Sequence, residues 1–277
     1  MSKQEQELTE DNYYSLDANW KYMDVSTYKA FVGTAAFPGC EAQALAVLNG
    51  DYVKPTTDAL LMGSYVDSYY DGTLNEFTMS HPELFSRAGK NKGQLLAKYQ
   101  KCDEIIRRTT RDELFSQYMS GEKQVIMTGN FGGCKWRIKM DSYLPGQAIV
   151  DLKTVRDFSP VYAPGRGKLD FIRAYGYDIQ AAMYQQICYD ATGERLPFFI
   201  AAVTKEEVPD IKVIALPQEL LDNAREGVLR HLDHVLDVKY GNAAPEACGR
   251  CDFCKSRKIL QRPELFSDFI VEIGASA

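Results

Sequence analysis

The sequence lacks the features that would place it in or across a membrane. It has no apolar run long enough to span a bilayer, and Met1 to Tyr14 is polar and acidic rather than basic and then apolar. Internal repeats and low-complexity linkers are also missing. These absences exclude a membrane-spanning protein and a repeat array. We therefore expect a cytoplasmic protein.

An excess of basic residues is lacking as well. The chain carries 32 Lys and Arg against 38 Asp and Glu, a net charge of −6. Such a balance argues against a surface that coats nucleic acid indiscriminately, so nucleic acid would have to lie in a locally basic channel. Arg166, Lys168 and Arg173 are candidates to line that channel, and scattered solvated charge is the alternative explanation for each of them.

What the sequence does contain is the composition of a folded α/β domain. With 277 residues, 45% of them hydrophobic, it can bury a sizeable core. We predict a single domain, 1–277, with a helical part at 1–120, a core sheet at 121–216, and a last helix and cysteine cluster at 217–277. After a flexible N-terminus, helices are predicted at 26–48, 58–70, 92–108, 173–192 and 217–238, and strands at 123–128, 135–142, 148–153, 198–203 and 211–216.

Two carboxylates and an amine fall on neighbouring predicted strands. Residues 135–141 alternate, with Trp136, Ile138 and Met140 on one face and Asp141 at the end of the other. A Pro-Gly turn follows, and the next strand carries Asp151 and Lys153 on one face. If the two strands pair as a hairpin, these three polar side chains converge at one edge of a sheet.

This convergence suits a divalent metal held against a phosphate. Mg²⁺ and Mn²⁺ prefer oxygen ligands, and Asp141, Asp151 and the backbone carbonyl of Leu152 would supply a partial cage. Lys153 would position or deprotonate the attacking water, or neutralise developing charge. For a bare D-x-K motif the alternative is an ordinary ion pair between Asp151 and Lys153, because short motifs match by chance.

The surrounding pattern resembles the PD-(D/E)xK nuclease superfamily, and within it the RecB-like and RecE-like phage recombination exonucleases. The resemblance is spread over 59–67, the strand that ends in Asp141, 150–154 and 177–184. It implies a restriction-endonuclease-like α/β core, a central mixed sheet flanked by helices, with an N-terminal helical arm and a C-terminal cysteine cluster. It also implies roles in the site for Gln180 and Tyr184, which lie four residues apart on one helical face.

Two positions depart from that family pattern. Asp67 stands where relatives commonly have a His four residues after the Gly, which implies a third metal ligand of altered type. Asp151 stands where many relatives have Glu. Both departures keep a carboxylate, so metal binding is still expected, with altered geometry and metal preference.

The resemblance implies a metal-dependent exonuclease that resects duplex DNA ends in phage-type recombination. It further implies 5′ to 3′ digestion, a homo-oligomer that encircles DNA, and a single-strand annealing recombinase as partner. Two alternatives remain: a structure-specific or CRISPR-adaptation-type nuclease, and a non-catalytic DNA-binding module that retains the nuclease fold.

Three cysteines near the end of the chain form a second motif. Cys248, Cys251 and Cys254 have a C-x2-C-x2-C spacing that is familiar from 4Fe-4S ligation, whereas zinc sites usually combine two separated pairs. A fourth thiolate must come from elsewhere, and the resemblance places it at Cys40, with the cluster joining the two arms of the chain. We expect a 4Fe-4S cluster, with zinc as the alternative and a buried, reduced cysteine cluster as the third. Cys102, Cys134 and Cys188 are expected to be core residues.

Overall fold

The computed structural model describes residues 8–263 and 265–266. Part of the predicted flexible N-terminus, residues 1–7, lies outside these ranges. Seven α-helices make up the first part of the described chain: α1 (Leu16–Lys21), α2 (Val25–Val32), α3 (Glu41–Leu48), α4 (Asp58–Tyr70), α5 (Leu74–Ser80), α6 (Ala97–Thr110) and α7 (Glu113–Tyr118). Two single 3-10 turns, Pro82–Leu84 and Gly89–Asn91, lie between α5 and α6.

The predicted helix at 26–48 is two helices, α2 and α3. The chain leaves α2 at Gly33, whose φ of +85° favours glycine, and a tight loop returns it to Cys40, the N-cap of α3. Gly33 pairs with Pro38 across this loop, and a Cβ on Gly33 would lie 2.4 Å from the backbone nitrogen of Gly39. The break therefore places Cys40 at the start of a helix.

The strands form one central mixed sheet and two hairpins. They are β1 (Val125–Phe131), β2 (Cys134–Met140), β3 (Ser142–Leu144), β4 (Ala148–Val155), β5 (Val161–Ala163), β6 (Gly167–Leu169), β7 (Phe198–Thr204) and β8 (Ile211–Ala215). The four-stranded sheet has the order β3-β4-β7-β8, in which β4 and β7 are parallel and the other neighbours antiparallel. β1 pairs with β2, and β5 with β6.

The predicted strand at 135–142 is divided at Asp141. Its first part, β2, pairs with β1, and only the short β3 pairs with β4 across the turn at 145–147. The hairpin prediction therefore holds for β3 and not for β2. Because Ser142 lies opposite Val150, continuing the register places Asp141 opposite Asp151 at the point where the chain bends.

Helices cover both faces of the central sheet. The later helices are α8 (Phe171–Ala174), α9 (Tyr177–Thr192), α10 (Gln218–Tyr240) and α11 (Asp252–Ser256); the predicted helix at 173–192 is divided between α8 and α9 at Gly176. Buried residues of α9 and α10 pack on the face that carries Ile149 and Ile200, whereas α4, α6 and α7 pack on the face that carries Val150 and Leu152. The predicted central mixed sheet flanked by helices is confirmed.

Within the part of the chain that the structure describes, no helix combines the length and the apolar character that a bilayer crossing requires.

Candidate active site and cysteine cluster

Asp151 lies on β4 between a cation and an amide. Its Oδ2 accepts from Lys153 Nζ at 2.5 Å, and its Oδ1 accepts from Gln180 Nε2 on α9 at 2.7 Å. The side chain of Asp151 is 4% exposed and that of Lys153 is 18% exposed. The alternation predicted from the sequence explains the contact, because both residues lie on the β4 face that α9 covers.

Asp141 occupies the bend between β2 and β3, next to β4. Its Oδ2 accepts a hydrogen bond from the backbone N–H of Leu152 at 2.9 Å. This hydrogen bond fixes the Asp141 carboxylate next to Leu152, the residue between Asp151 and Lys153. The structure thus brings together three of the predicted site residues and the predicted backbone ligand.

A cleft of about 660 Å³ opens in front of these residues. Asp141, Gln180 and Tyr184 line it, and Asp67 reaches it from α4. Four of the predicted side chains therefore face one solvent-accessible space, with Asp151 held behind them by Gln180 and Lys153.

The carboxylates of this site are buried and lie close enough to repel one another. Burial raises the pKa of Asp141 well above its ordinary range, and the neighbouring Asp151 raises it further. Burial also raises the pKa of Asp67 to about 7. For Lys153, burial lowers the pKa, but Asp151 and Asp141 outweigh this and leave it above the ordinary value. Lys153 thus lies among three carboxylates, with Lys139 as a further cation near Asp67, and these buried carboxylate oxygens fit a hard divalent cation.

Two residues that line the cleft were not predicted from the sequence. Asp71 follows Asp67 by one helical turn, and burial raises its pKa. Gln124 donates to Asp71 Oδ1 at 2.8 Å, and among the described non-glycine residues it alone has a positive φ, +52°. The i, i+4 spacing of Asp67 on α4 and Asp71 at its C-cap was the available signal for Asp71; nothing in the sequence pointed to Gln124.

Arg137 is a third residue whose environment differs from the prediction. The alternation of β2 placed it on a polar face, yet it is 1% exposed. Its guanidinium donates to Asp24 Oδ2 at 2.7 Å, to Asn19 Oδ1 at 2.6 Å and to the carbonyl of Tyr13. The N-terminal segment therefore covers this face of β2 and forms one wall of the cleft.

The basic residues predicted to line a DNA channel lie elsewhere. Arg166 is in the β5–β6 turn, Lys168 is on β6, and both are exposed. Arg173 on α8 pairs with Asp170 at 2.6 Å, in the manner of a helix cap. None of the three lines the cleft.

The four predicted cysteines converge beside α3. The Sγ atoms of Cys40, Cys248, Cys251 and Cys254 all lie within 4.8 Å of one another, with 3.6 Å between Cys40 and Cys254. Gly249 takes a φ of +71° in the turn, and the N–H of Cys251 points at the sulfur of Cys248 at 3.4 Å. A backbone hydrogen bond from Arg250 lowers the pKa of Cys248 to about 6. Four convergent sulfurs with amide donors to a thiolate fit a metal or metal–sulfur centre.

Contacts beyond the cysteines hold the two arms together. Glu41, the first residue of α3, accepts from the backbone N–H of Glu246 at 2.9 Å and contacts His234 of α10 at 2.8 Å. The ring of Phe253 in α11 packs against Tyr52. The remaining cysteines lie apart from this group: Cys102 and Cys188 are buried and Cys134 is half-buried.

The fold and the arrangement of Asp141, Asp151 and Lys153 are those of the PD-(D/E)xK nuclease superfamily. Comparison with known proteins confirms this: the chain belongs to the family described as "PDDEXK-like domain of unknown function (DUF3799)", whose model matches residues 24–257.

The crystal structure of a protein from Eubacterium rectale, provisionally described as an exonuclease, is similar over 97% of this chain and 100% of its own, with 45% identity and a TM-score of 0.92. The crystal structure of SSO0001 matches 74% of this chain and 86% of its own at 11% identity and a TM-score of 0.27, which is too distant to support an argument. No curated protein matches the sequence significantly. Family and neighbour together support a nuclease.

Proposed function

We propose that the protein is a metal-dependent DNA nuclease that removes nucleotides from duplex ends. The observation that carries the proposal is the contact set around Asp151: Lys153 on one oxygen, Gln180 on the other, and Asp141 bonded to the intervening Leu152. An ordinary surface ion pair would not be buried, placed beside a second carboxylate and positioned by an amide from a helix.

Asp141, Asp151 and the carbonyl of Leu152 would hold Mg²⁺ or Mn²⁺, with Asp67 as a further ligand. When bound, the ion supplies the Lewis acidity that activates the scissile phosphate and the attacking water. Mg²⁺ usually keeps several of its waters, so water and substrate oxygens would complete its coordination shell.

Lys153 acts as a cation in this scheme. Because its pKa lies above the ordinary value, it keeps its proton at neutral pH and serves to orient the water and neutralise charge that develops on the phosphate. Gln180 fixes the orientation of Asp151. Burial raises the pKa of the Tyr184 phenol well above its ordinary range, so Tyr184 faces the cleft as a hydrogen-bond donor.

The finer role is resection of duplex ends in phage-type recombination. It is supported by the resemblance to RecE-like enzymes and by the Eubacterium rectale neighbour's description as an exonuclease. A 5′ to 3′ polarity, a homo-oligomer and a single-strand annealing recombinase as partner are proposed on the resemblance alone.

A cleavage assay on matched substrates separates the candidate functions. Linear duplex, closed circular duplex and single-stranded DNA are incubated with the protein and Mg²⁺ or Mn²⁺. The exonuclease degrades the linear duplex and spares the closed circle. Cutting of the circle or of branched substrates instead identifies a structure-specific nuclease, and binding without cutting identifies a non-catalytic module.

The cysteine cluster is proposed to hold a 4Fe-4S centre with a structural role. Its support is the convergence of the four sulfurs and the C-x2-C-x2-C spacing. Zinc is the alternative, since tetrahedral thiolate sites also use four cysteines.

A further inference from the structure

A groove of about 280 Å³ lies between the cleft and the cysteine cluster. Three of its lining residues are basic, Lys29, Lys54 and Arg250, and none of the described residues that line it carries a carboxylate. In a chain with a net charge of −6, this is a local positive site beside a cleft that is rich in aspartate.

The groove and the cleft share a wall. Ala30 and Lys54 line both spaces, so they are neighbouring parts of one surface. Lys29 connects them electrostatically: burial and the nearby Lys153 lower its pKa to about 8, against the opposing effect of Asp151 and Asp178. Its Nζ lies 5.9 Å from the centre of the Tyr177 ring, and Lys153 Nζ lies 5.2 Å from the same ring.

Within the part of the chain that the structure describes, the basic residues of the groove form no ion pair with a carboxylate. Neither Lys54 nor Arg250 forms an ion pair with another described residue, and both are exposed. Lys29 donates to two backbone carbonyls among the described residues, those of Tyr175 and Gly176 at 3.3 and 3.5 Å. Three cations that form no ion pair with a described carboxylate, on one concave surface, are suited to anionic oxygens such as backbone phosphates.

An aromatic ring at the groove indicates the kind of phosphate ligand. Phe37 lines the groove, is 45% exposed, and stacks on Tyr175 with ring centroids 5.2 Å apart and an interplanar angle of 23°. A basic track beside an open aromatic face is the combination that binds single-stranded nucleic acid, because phosphates contact the cations and a base stacks on the ring.

Arg250 depends on the cysteine cluster for its place. It lies between Cys248 and Cys251, and Cys40 and both of these cysteines line the same groove. Closing the cluster therefore also builds one side of the groove.

We propose that this groove, built by Lys29, Lys54, Arg250 and Phe37, holds a single DNA strand as it runs between the catalytic cleft and the cysteine cluster. The inference rests on the proposed function, to which it adds the path and the single-stranded form of the bound strand.

Salt-dependent binding of a fluorescent single-stranded oligodeoxynucleotide tests the groove. The full chain carries Asp141→Asn to prevent cleavage, and Lys54→Gln and Arg250→Gln are added singly and together. Lys29 is left intact because it also holds the α8–α9 turn. Lys92→Gln and Arg111→Gln, at exposed positions outside both spaces, are controls with the same loss of charge.

Each groove substitution should weaken binding several-fold and reduce the slope of log affinity against log salt by about 0.7, the value for one phosphate contact on a single strand. In the double variant, the slope of log affinity against log salt should decrease by about twice that amount. Equal slopes in groove and control variants, or displacement of the oligonucleotide by millimolar inorganic phosphate alone, would overturn the proposal, as would failure of the parent protein to bind single strands.

A phosphate scan gives a second readout that general loss of folding cannot imitate. Single methylphosphonates, which remove one charge, are placed along the oligonucleotide. One position should weaken binding to the parent protein and have no further effect on Lys54→Gln, as expected when two changes remove the same contact. If every position acts additively with Lys54→Gln, the direct contact is refuted.

The cleavage assay keeps the two claims separate. If the protein cuts linear DNA but the groove substitutions do not change binding of the oligonucleotide, the proposed function stands and the groove proposal is refuted. A protein that cuts no DNA loses the proposed function whatever it binds.

Discussion

Asp141 and Asp151 differ in the neighbouring groups that stabilise or oppose the negative charge of their carboxylates. Asp151 is paired with Lys153, whereas Asp141 has a backbone amide and a neighbouring carboxylate. Removing the charge of Asp151 leaves Lys153 largely buried without its partner, which costs on the order of 3 kcal/mol. Removing the charge of Asp141 relieves repulsion. In protein without added divalent metal, we therefore expect Asp151→Asn to lower the melting temperature and Asp141→Asn to leave it unchanged or raise it.

Thermal unfolding of both variants beside the parent protein measures this difference. Equal destabilisation by the two substitutions would contradict the account of the charges.

Asp67 is a carboxylate at the position where the family pattern to which the sequence was compared has a His. Hard cations prefer oxygen ligands, so Asp67 should favour Mg²⁺, and Asp67→His should shift activity from Mg²⁺ toward Mn²⁺. Cleavage rates with each metal alone give the ratio. If Asp67→Ala leaves both rates unchanged, Asp67 is a helix charge that does not touch the metal.

At the scale of residues, the sequence predicted which side chains lie together when a single strand or helix positions them. Alternation along β4 placed Asp151 and Lys153 on one face, and helical spacing placed Gln180 and Tyr184 together. Contacts that arise where separate elements meet were not predictable in this way. The burial of Arg137 depends on how the N-terminal segment folds over β2, and the contact of Gln124 with Asp71 depends on an unusual backbone conformation.

At the scale of elements, the loop between α2 and α3 positions Cys40. Gly33→Ala would place a Cβ 2.4 Å from backbone atoms at a φ of +85°, so we expect a loss of at least about 2 kcal/mol in the free energy of unfolding. Gly63→Ala on α4 is the matched control, because a Cβ there would have no described atom within 4 Å apart from its chain neighbours and the nearby backbone of its own helix. It should stabilise the protein by about 0.5 to 1 kcal/mol.

Denaturant unfolding of the two variants provides these free energies. A Gly33→Ala protein as stable as the parent would mean that the loop relaxes freely and does not fix Cys40.

The hydrophobic periodicity of the sequence predicted the order and type of the main helices and strands. It did not predict where these elements are interrupted. The predicted helices at 26–48 and 173–192 each divide at a glycine with positive φ, and the strand at 135–142 divides at Asp141. A local pattern cannot show where tertiary contacts bend the chain. The short β5–β6 hairpin and α11 gave too few residues for a periodic signal.

At the scale of the whole molecule, the cysteine cluster joins residue 40 to residues 248–254. A cross-link that closes so long a loop stabilises the folded state by on the order of 5 kcal/mol in the entropic model. We expect anaerobically purified protein to be brown with visible absorbance, and Cys40→Ser to lose metal and thermal stability together. Cys134→Ser, outside the cluster, is the control and should keep both.

Metal analysis separates the two proposed centres. A colourless protein that contains zinc would refute the iron–sulfur assignment and retain the four-thiolate site. A protein without metal would refute both.

The proposed function requires that Asp141 and Asp151 form a metal-dependent site for cutting DNA. Its most direct test is the rate of nucleotide release from a linear duplex in Mg²⁺, measured for the parent protein, Asp141→Asn and Asp151→Asn. We expect release by the parent and a loss of at least about 1,000-fold in each variant, because each substitution removes a charged ligand that the site cannot replace. Parent-like release by folded protein carrying either substitution would contradict it.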